Sequence, residues 1–175
     1  MCIRDRYVSV DYGTQNATVF LLFEKNRKGQ WVATKEYYYS GRDEAEQKTD
    51  GEYADDMEEF VSGIEIESII VDPAAASFIA ELRKRGYKVL KAKNDVLDGI
   101  RLVGTLLNLC KICFEKSCTN TIGEFASYIW DEKALEHGED KPVKQFDHGC
   151  DAARYFCSTI LGNKVARMKK TKIRR

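Results

Sequence analysis

The stretch Tyr7-Val-Ser-Val-Asp11-Tyr-Gly13, with Ala17-Thr-Val-Phe-Leu-Leu-Phe23-Glu24 and Trp31-Val-Ala-Thr-Lys-Glu-Tyr-Tyr-Tyr39 behind it, decides the fold. The first segment is a short apolar strand that ends on a carboxylate. The turn Gly13-Thr14-Gln15-Asn16 leads into a second strand that is apolar on both faces over Val19 to Phe23. The polar link Asn26 to Gly29 leads into a third, rich in aromatic and β-branched residues. Three consecutive strands joined by tight turns predict an antiparallel meander.

Outward from there the period changes. Tyr53, Met57, Phe60 and Val61 recur at helical spacing behind Thr49 or Asp50 as N-cap. A strand over Ile66 to Val71 ends on Asp72-Pro73. A helix over Ala74 to Arg85 stops at Gly86, and a strand follows over Tyr87 to Ala92. Asn94 or Asp95 caps a helix to about Leu109, with Val96, Ile100, Val103 and Leu107 on one face. Ile112 to Phe114 is a short strand. Asn120 opens a helix with Ile122, Phe125, Ala126 and Ile129 inward. Asp131 to Phe146 is polar and interrupted by Gly138 and Pro142, which reads as a loop or flap. Asp147 to Leu161 is the last helix, with Asp147 at its N-cap. This succession predicts an α/β chain with one mixed sheet, its first three strands antiparallel and the later ones parallel, and helices on both faces. That is the ribonuclease H-like arrangement, in which the first strand is central and the fourth lies beside it. Asp11 and Asp72 then stand at neighbouring strand ends, where open sheets build their sites.

The chain of 175 residues is long enough for one domain with a core. Hydrophobic residues at 43% and charged residues at 32% mark a globular chain and exclude a disordered one. No apolar run is long enough to span a bilayer, and the N-terminus lacks the apolar segment of a signal peptide. Net charge is zero but uneven. Seven basic residues and no acid follow Gly162, so the remainder carries seven excess acids. An acidic body suits cation capture, and a basic tail attracts phosphate or is simply a solvated terminus. Among the six cysteines, Cys110-x-x-Cys113 and Cys118 lack the second Cys/His pair of a structural zinc site. Without a secretory signal, reduced thiols are the expectation.

Two carboxylates about 4 Å apart repel by roughly 4 kcal/mol at an effective dielectric of about 20. A pair of divalent cations removes that cost and supplies phosphodiester hydrolysis. A third carboxylate, Asp151, follows His148 by one turn on the last helix, and Arg154 and Tyr155 extend that face. Lys91, Lys93 and Arg101 suit contacts with a phosphate backbone or form a solvated helix face. Asp98 reads as an exposed helix residue. Two other readings stay open. Asp72 suits an N-cap of the following helix, and Asp11-Tyr-Gly-Thr14 suits phosphate binding of the sugar-kinase type.

The chain resembles the nuclease domain of the large terminase subunit of tailed bacteriophages, in the PBSX-like and SPP1-like group. The resemblance runs through Val8-Ser-Val-Asp-Tyr-Gly-Thr-Gln-Asn16, Tyr37-Tyr-Tyr-Ser-Gly-Arg42, Lys48-Thr-Asp-Gly-Glu-Tyr-Ala-Asp55 and Ile70-Val-Asp-Pro-Ala-Ala-Ala-Ser-Phe-Ile-Ala-Glu-Leu82. It continues through Lys91-Ala-Lys-Asn-Asp-Val-Leu-Asp-Gly-Ile-Arg101, Asn120-Thr-Ile-Gly-Glu-Phe125 and Asp147-His148-x-x-Asp151-Ala-x-Arg-Tyr155. It implies an endonuclease that cuts concatemeric viral double-stranded DNA with two Mg²⁺ or Mn²⁺ ions. Asp11, Asp72 and Asp151 would be the metal ligands, with His148 assisting by orienting Asp151 or a water. It also implies an upstream ATPase domain, a small terminase subunit and a portal protein as partners, in the cytoplasm of a bacterial host. Residues 1–6 fall outside the resemblance and read as a non-native leader, residues 7–162 as the domain, and 163–175 as a basic tail. Gly149 and Ala153 stand where bulkier residues are common, which suggests a looser last helix. A DNA- or portal-binding module without catalysis, or a fragment of an actin- or sugar-kinase-like ATPase, are the alternatives.

Overall fold

The computed structural model describes residues 6–13, 16–41, 44, 46–127 and 147–162. Its centre is a six-stranded sheet built from β1 (Arg6–Asp11), β2 (Ala17–Lys25), β3 (Trp31–Ser40), β4 (Ser68–Val71), β5 (Val89–Lys91) and β6 (Ile112–Phe114). The strand order is β5-β4-β1-β2-β3-β6. β1, β2 and β3 form the antiparallel meander, and β4 and β5 add to β1 in parallel. β6 joins the far edge, parallel to β3. The first strand is thus central with the fourth beside it, and the ribonuclease H-like sheet is the fold of the chain.

The helices are α1 (Asp50–Phe60), α2 (Ala76–Lys84), α3 (Val96–Asn108), α4 (Thr119–Ser127) and α5 (His148–Phe156). The last runs on into a π-helical turn over Cys157–Leu161. β2 explains why both faces need cover. Its side chains alternate, so Val19, Leu21 and Phe23 pack under α3 and α5, while Phe20 and Leu22 pack under α1 and α2. Each such side chain, fully buried, contributes about 1.5–3 kcal/mol. The aromatic stack of Phe23 on Phe156, centroids 4.0 Å apart, fixes α5 across the middle of the sheet. Among the described residues no helix is long and apolar enough to cross a membrane.

Several local expectations change. The helix after Asp72 starts two residues later than its pattern predicts, at Ala76 with Ala75 as N-cap, so Asp72 does not cap it. Asp95, and not Asn94, caps α3 by accepting from the Asp98 N–H. The buried line of α3 is Gly99, Val103 and Leu106, and Val96, Ile100 and Leu107 lie at its margin. On α4 the inward residues are Thr121 and Glu124, with Phe125 half-buried and Ile122 41% exposed. The apolar pattern misleads there because α4 sits over polar groups, the rim of β3 and the first turn of α5. Ile129 and the loop or flap over Asp131 to Phe146 lie outside the described residues, as do residues 1–5 and the basic tail.

Candidate active site

The parallel pairing of β1 with β4 ends at Val10 and Val71. Asp11 and Asp72 each follow their member of that pair, on strands that lie about 4.8 Å apart. Parity aims both carboxylates at α5. Ser9, two residues before Asp11, donates its hydroxyl to the Ala152 carbonyl of α5 at 2.7 Å. Ile70, two residues before Asp72, packs in the core under α5. α5 then supplies His148, Asp151, Arg154 and Tyr155 to the same edge.

The site has two connected parts. In the first, Asp11 Oδ2 and His148 Nδ1 lie 2.9 Å apart. Burial pushes the Asp11 carboxyl above its ordinary value, with the Asp151 charge adding to the rise and the His148 bond opposing it. The same bond to Asp11 pushes the His148 imidazole up. Both shifts favour keeping a proton on this pair.

In the second part, Asp72 Oδ1 accepts from the Ala74 N–H at 2.8 Å. Asp72 Oδ2 accepts from Tyr155 OH at 2.7 Å and Asn94 Nδ2 at 2.9 Å. Arg154 Nε donates to Asp151 Oδ1 at 3.0 Å, and Nη2 lies 2.9 Å from the same oxygen in an ion pair. Arg154 Nη1 donates to Asn94 Oδ1 at 3.0 Å. Burial pulls the Arg154 guanidinium down, but the Asp151 charge, the Tyr155 hydroxyl and the bonds to both together outweigh it and leave it more firmly protonated. Tyr155 links the two parts. Burial raises its hydroxyl most, followed by the charge of Asp11 and the bond to Asp72.

Asp11, Asp72 and Asp151 are therefore brought to one edge, and His148 with them. His148 engages Asp11 instead of orienting Asp151, because the first turn of α5 passes over the end of β1 while Asp151 points to Arg154. Lys91 lies on β5 in register with Val71, whose side chain packs on the face of the sheet away from α5, and Lys93 follows two residues later beyond the same strand end. Arg101 is exposed on α3, 3.7 Å from Asp98. Asn94 is more than a cap candidate, since it bridges Asp72 to Arg154. Its position just after β5, at the third strand end of this edge, was the available signal.

Glu124 had no such signal. It is buried on α4, and its Oε2 accepts from the N–H groups of Gly149 and Cys150 at 2.6 and 3.2 Å. Asp147, at the N-cap position of α5, makes no side-chain cap bond. Gly149 lies at a close approach of two helices. A Cβ there would stand 2.3 Å from Thr121 Oγ1 and 3.0 Å from Glu124 Oε2, so glycine allows α4 and α5 to close together.

The donor chemistry fits a hard divalent cation, which takes carboxylate oxygen in preference to thiolate. Burial and the neighbouring Asp151 charge disfavour ionised Asp11, and a divalent ion relieves that cost. Among the described residues, however, no three His, Cys, Asp or Glu side chains converge closely enough to hold an ion as they stand. Asp151 is turned to Arg154, and Asp72 to Tyr155 and Asn94.

Sheet order and this edge define an α/β protein of the ribonuclease H-like class. Comparison with known proteins narrows it. No family model matches the chain. A large terminase from a thermophilic bacteriophage, solved in complex with ADP, is 55% identical, with a TM-score of 0.88, over 92% of this chain and 40% of its own. The large terminase subunit of Escherichia phage T5 is 27% identical over 160 residues, 87% of this chain and 35% of its own length. The nuclease domain of the large terminase from the bacteriophage SPP1, solved with bound Mn, has the same fold at 18% identity, with a TM-score of 0.59. That match covers 89% of this chain and 86% of the domain. The chain is a relative of the bacteriophage large terminases, over the part that has their nuclease-domain fold. It spans well under half the length of the thermophilic-phage and T5 proteins.

Proposed function

We propose that the chain is a divalent-cation-dependent endonuclease domain of a phage DNA-packaging large terminase. In this reading it cuts concatemeric double-stranded DNA by two-metal-ion phosphodiester hydrolysis. One observation carries the reading: carboxylates from three separate elements, β1, the end of β4 and α5, meet at one edge through the shared partners His148, Tyr155, Asn94 and Arg154. The bound Mn of the SPP1 domain supports it.

Asp11, Asp72 and Asp151 are the residues to hold Mg²⁺ or Mn²⁺. Two such ions, when bound, supply Lewis-acid polarisation of the phosphodiester and a water acidic enough to attack at neutral pH. The chain's own residues do the rest. His148 holds a proton against Asp11 until the carboxylate is needed as a ligand. Tyr155 and Asn94 aim Asp72, and Arg154 neutralises Asp151 while the site is empty of other cations. Lys91, Lys93 and Arg101 contact phosphates, which position a duplex without reading its bases. The domain works with an ATPase domain, a small terminase subunit and a portal protein in the cytoplasm of the bacterial host.

The test is Mn²⁺-dependent nicking of supercoiled plasmid by wild type and Asp72→Asn. The variant should lose more than about 100-fold, beyond the loss expected for an outer-shell partner. Full activity in Asp72→Asn removes the reading. Salt-dependent DNA binding by a wild type that never cleaves leaves a binding module in its place.

A further inference from the structure

We propose that Glu124 is a positioning residue for this site: a carboxylate supplied by α4 that serves as the missing cap of α5 and so fixes where His148 and Asp151 stand. The inference rests on the proposed nuclease reading for its consequence, but its geometry is independent of it.

The first turn of a helix leaves its N–H groups without intrahelical partners, and an N-cap side chain normally accepts from the second or third. Asp147 occupies the cap position of α5 at φ −121° and ψ 12°, and its side chain makes no such bond. The second and third N–H groups, Gly149 and Cys150, donate instead to Glu124 Oε2. Glu124 Oε1 is held in turn by Tyr38 OH at 2.9 Å. The carboxylate is therefore fixed from β3 and grips α5 in the turn that carries His148 on one side and Asp151 on the other. Burial raises the Glu124 carboxyl, and the bonds from Tyr38, Cys150 and Gly149 oppose that rise.

The same device operates one step earlier. Glu36, on β3, accepts from the Thr121 N–H at 2.8 Å and from Asn120 N–H and Nδ2 at 3.0 and 3.1 Å, at the start of α4. β3 thus sets α4 through Glu36, and α4 sets α5 through Glu124. Gly149 is the contact that lets the second step close, since any Cβ there meets Thr121 and Glu124. A line of hydrogen bonds thus runs from the sheet to the turn of α5 that carries the two site residues.

The experiment uses the full chain and the variants Glu124→Gln and Glu124→Ala, with Asp72→Asn as control. Amide hydrogen exchange at Gly149, Cys150 and Asp151 is read by NMR without metal. Mn²⁺ affinity is then read by EPR, and nicking is split into kcat and KM for DNA. Glu124→Ala should speed exchange of those amides about tenfold or more, as loss of a charge-assisted bond implies, with β1, β4 and α1 unchanged. Mn²⁺ affinity and kcat should fall about 10–100-fold at unchanged KM. Glu124→Gln keeps an acceptor oxygen and the side-chain volume, and should recover much of the exchange protection and part of kcat. Unchanged exchange in Glu124→Ala overturns the proposal, as does a loss of kcat that merely follows a loss of folded protein in both variants. A wild type that neither binds Mn²⁺ nor cleaves defeats the functional reading alone, because the exchange result stands without it.

Discussion

The two faces of the sheet are held in different ways. Under α1 and α2 the core is apolar and aromatic, with Phe20, Tyr53, Met57, Phe78 and Leu82 wholly buried. Its polar contacts lie at the rim, as in the bonds of Tyr12 to Asp50 and of Tyr37 and Lys48 to Asp56. Under α3, α4 and α5 the buried set includes Ser9, Thr121, Glu124, Asp147, Asp151, Arg154 and Ser158. Buried polar groups are costly unless each finds a partner, and here the bonds of Ser9, Glu124, Asp151 and Arg154 fix one arrangement, while the Thr121 and Ser158 hydroxyls lie buried with no hydrogen-bond partner among the described residues. The first face supplies stability that needs no particular orientation. The second gives up some of that stability to hold carboxylates and a guanidinium in one geometry.

The sharpest way to separate the two is to damage each. Leu82→Ala, on the apolar face, should cost about 2–5 kcal/mol in chemical denaturation. Below the new midpoint its Mn²⁺ affinity should match wild type, and a large change would mean the faces are coupled. Gly149→Ala is the counterpart on the polar face. Overpacking there should cost about 1–3 kcal/mol, because Thr121 must move. Here the cation affinity should fall as well, since the same Cβ stands 3.0 Å from Glu124 Oε2 and its relief loosens the hold of Glu124 on α5. A stability loss with unchanged affinity would break the contrast.

The same difference governs what the sequence made legible. α1 could be read nearly to the residue because its start is local. Thr49 accepts from the Glu52 N–H and Glu52 reaches back to the Thr49 N–H at 2.7 Å, a capping box written in four consecutive residues. β1 to β3 were legible for the same reason, since a meander needs only neighbours, and β4 followed from its apolar run and the terminal Asp72. The starts of α4 and α5 were legible to within a residue, but the groups that cap them were not, because these are Glu36 and Glu124, 85 and 25 residues distant in the closest bonds. Helical spacing alone gave Ile122 an inward role that it lacks, because periodicity cannot show that a helix faces polar partners. The aspartates were found by position at strand ends. Arg154 was legible as the neighbour of Asp151 on one helix face, but Asn94 and Tyr155 were not, since they reach Asp72 only when three elements meet. Thr49→Ala tests the local half of this contrast. It should cost about 1 kcal/mol and leave Mn²⁺ affinity and nicking unchanged.

The smallest expected effect is also the most specific to the polar face. Burial is the leading influence on Glu124 and lifts its carboxyl above the ordinary value of 4.5. A raised value in the folded state means that folding binds a proton. Stability from this group is therefore fullest below 4.5 and declines as pH rises through the folded value. Glu124→Gln removes the titration. Its stability relative to wild type should be poorest in acid and improve toward neutral pH, so the two curves approach each other as the wild-type carboxylate becomes charged. On the apolar face Leu82→Ala has no such group and should run parallel to wild type over the same range. Denaturation midpoints of the three proteins from about pH 4 to about pH 7.5 decide the matter. A Glu124→Gln curve parallel to wild type would mean that the carboxylate is not held at a raised value, and that its bonds to Tyr38, Gly149 and Cys150 offset its burial in full.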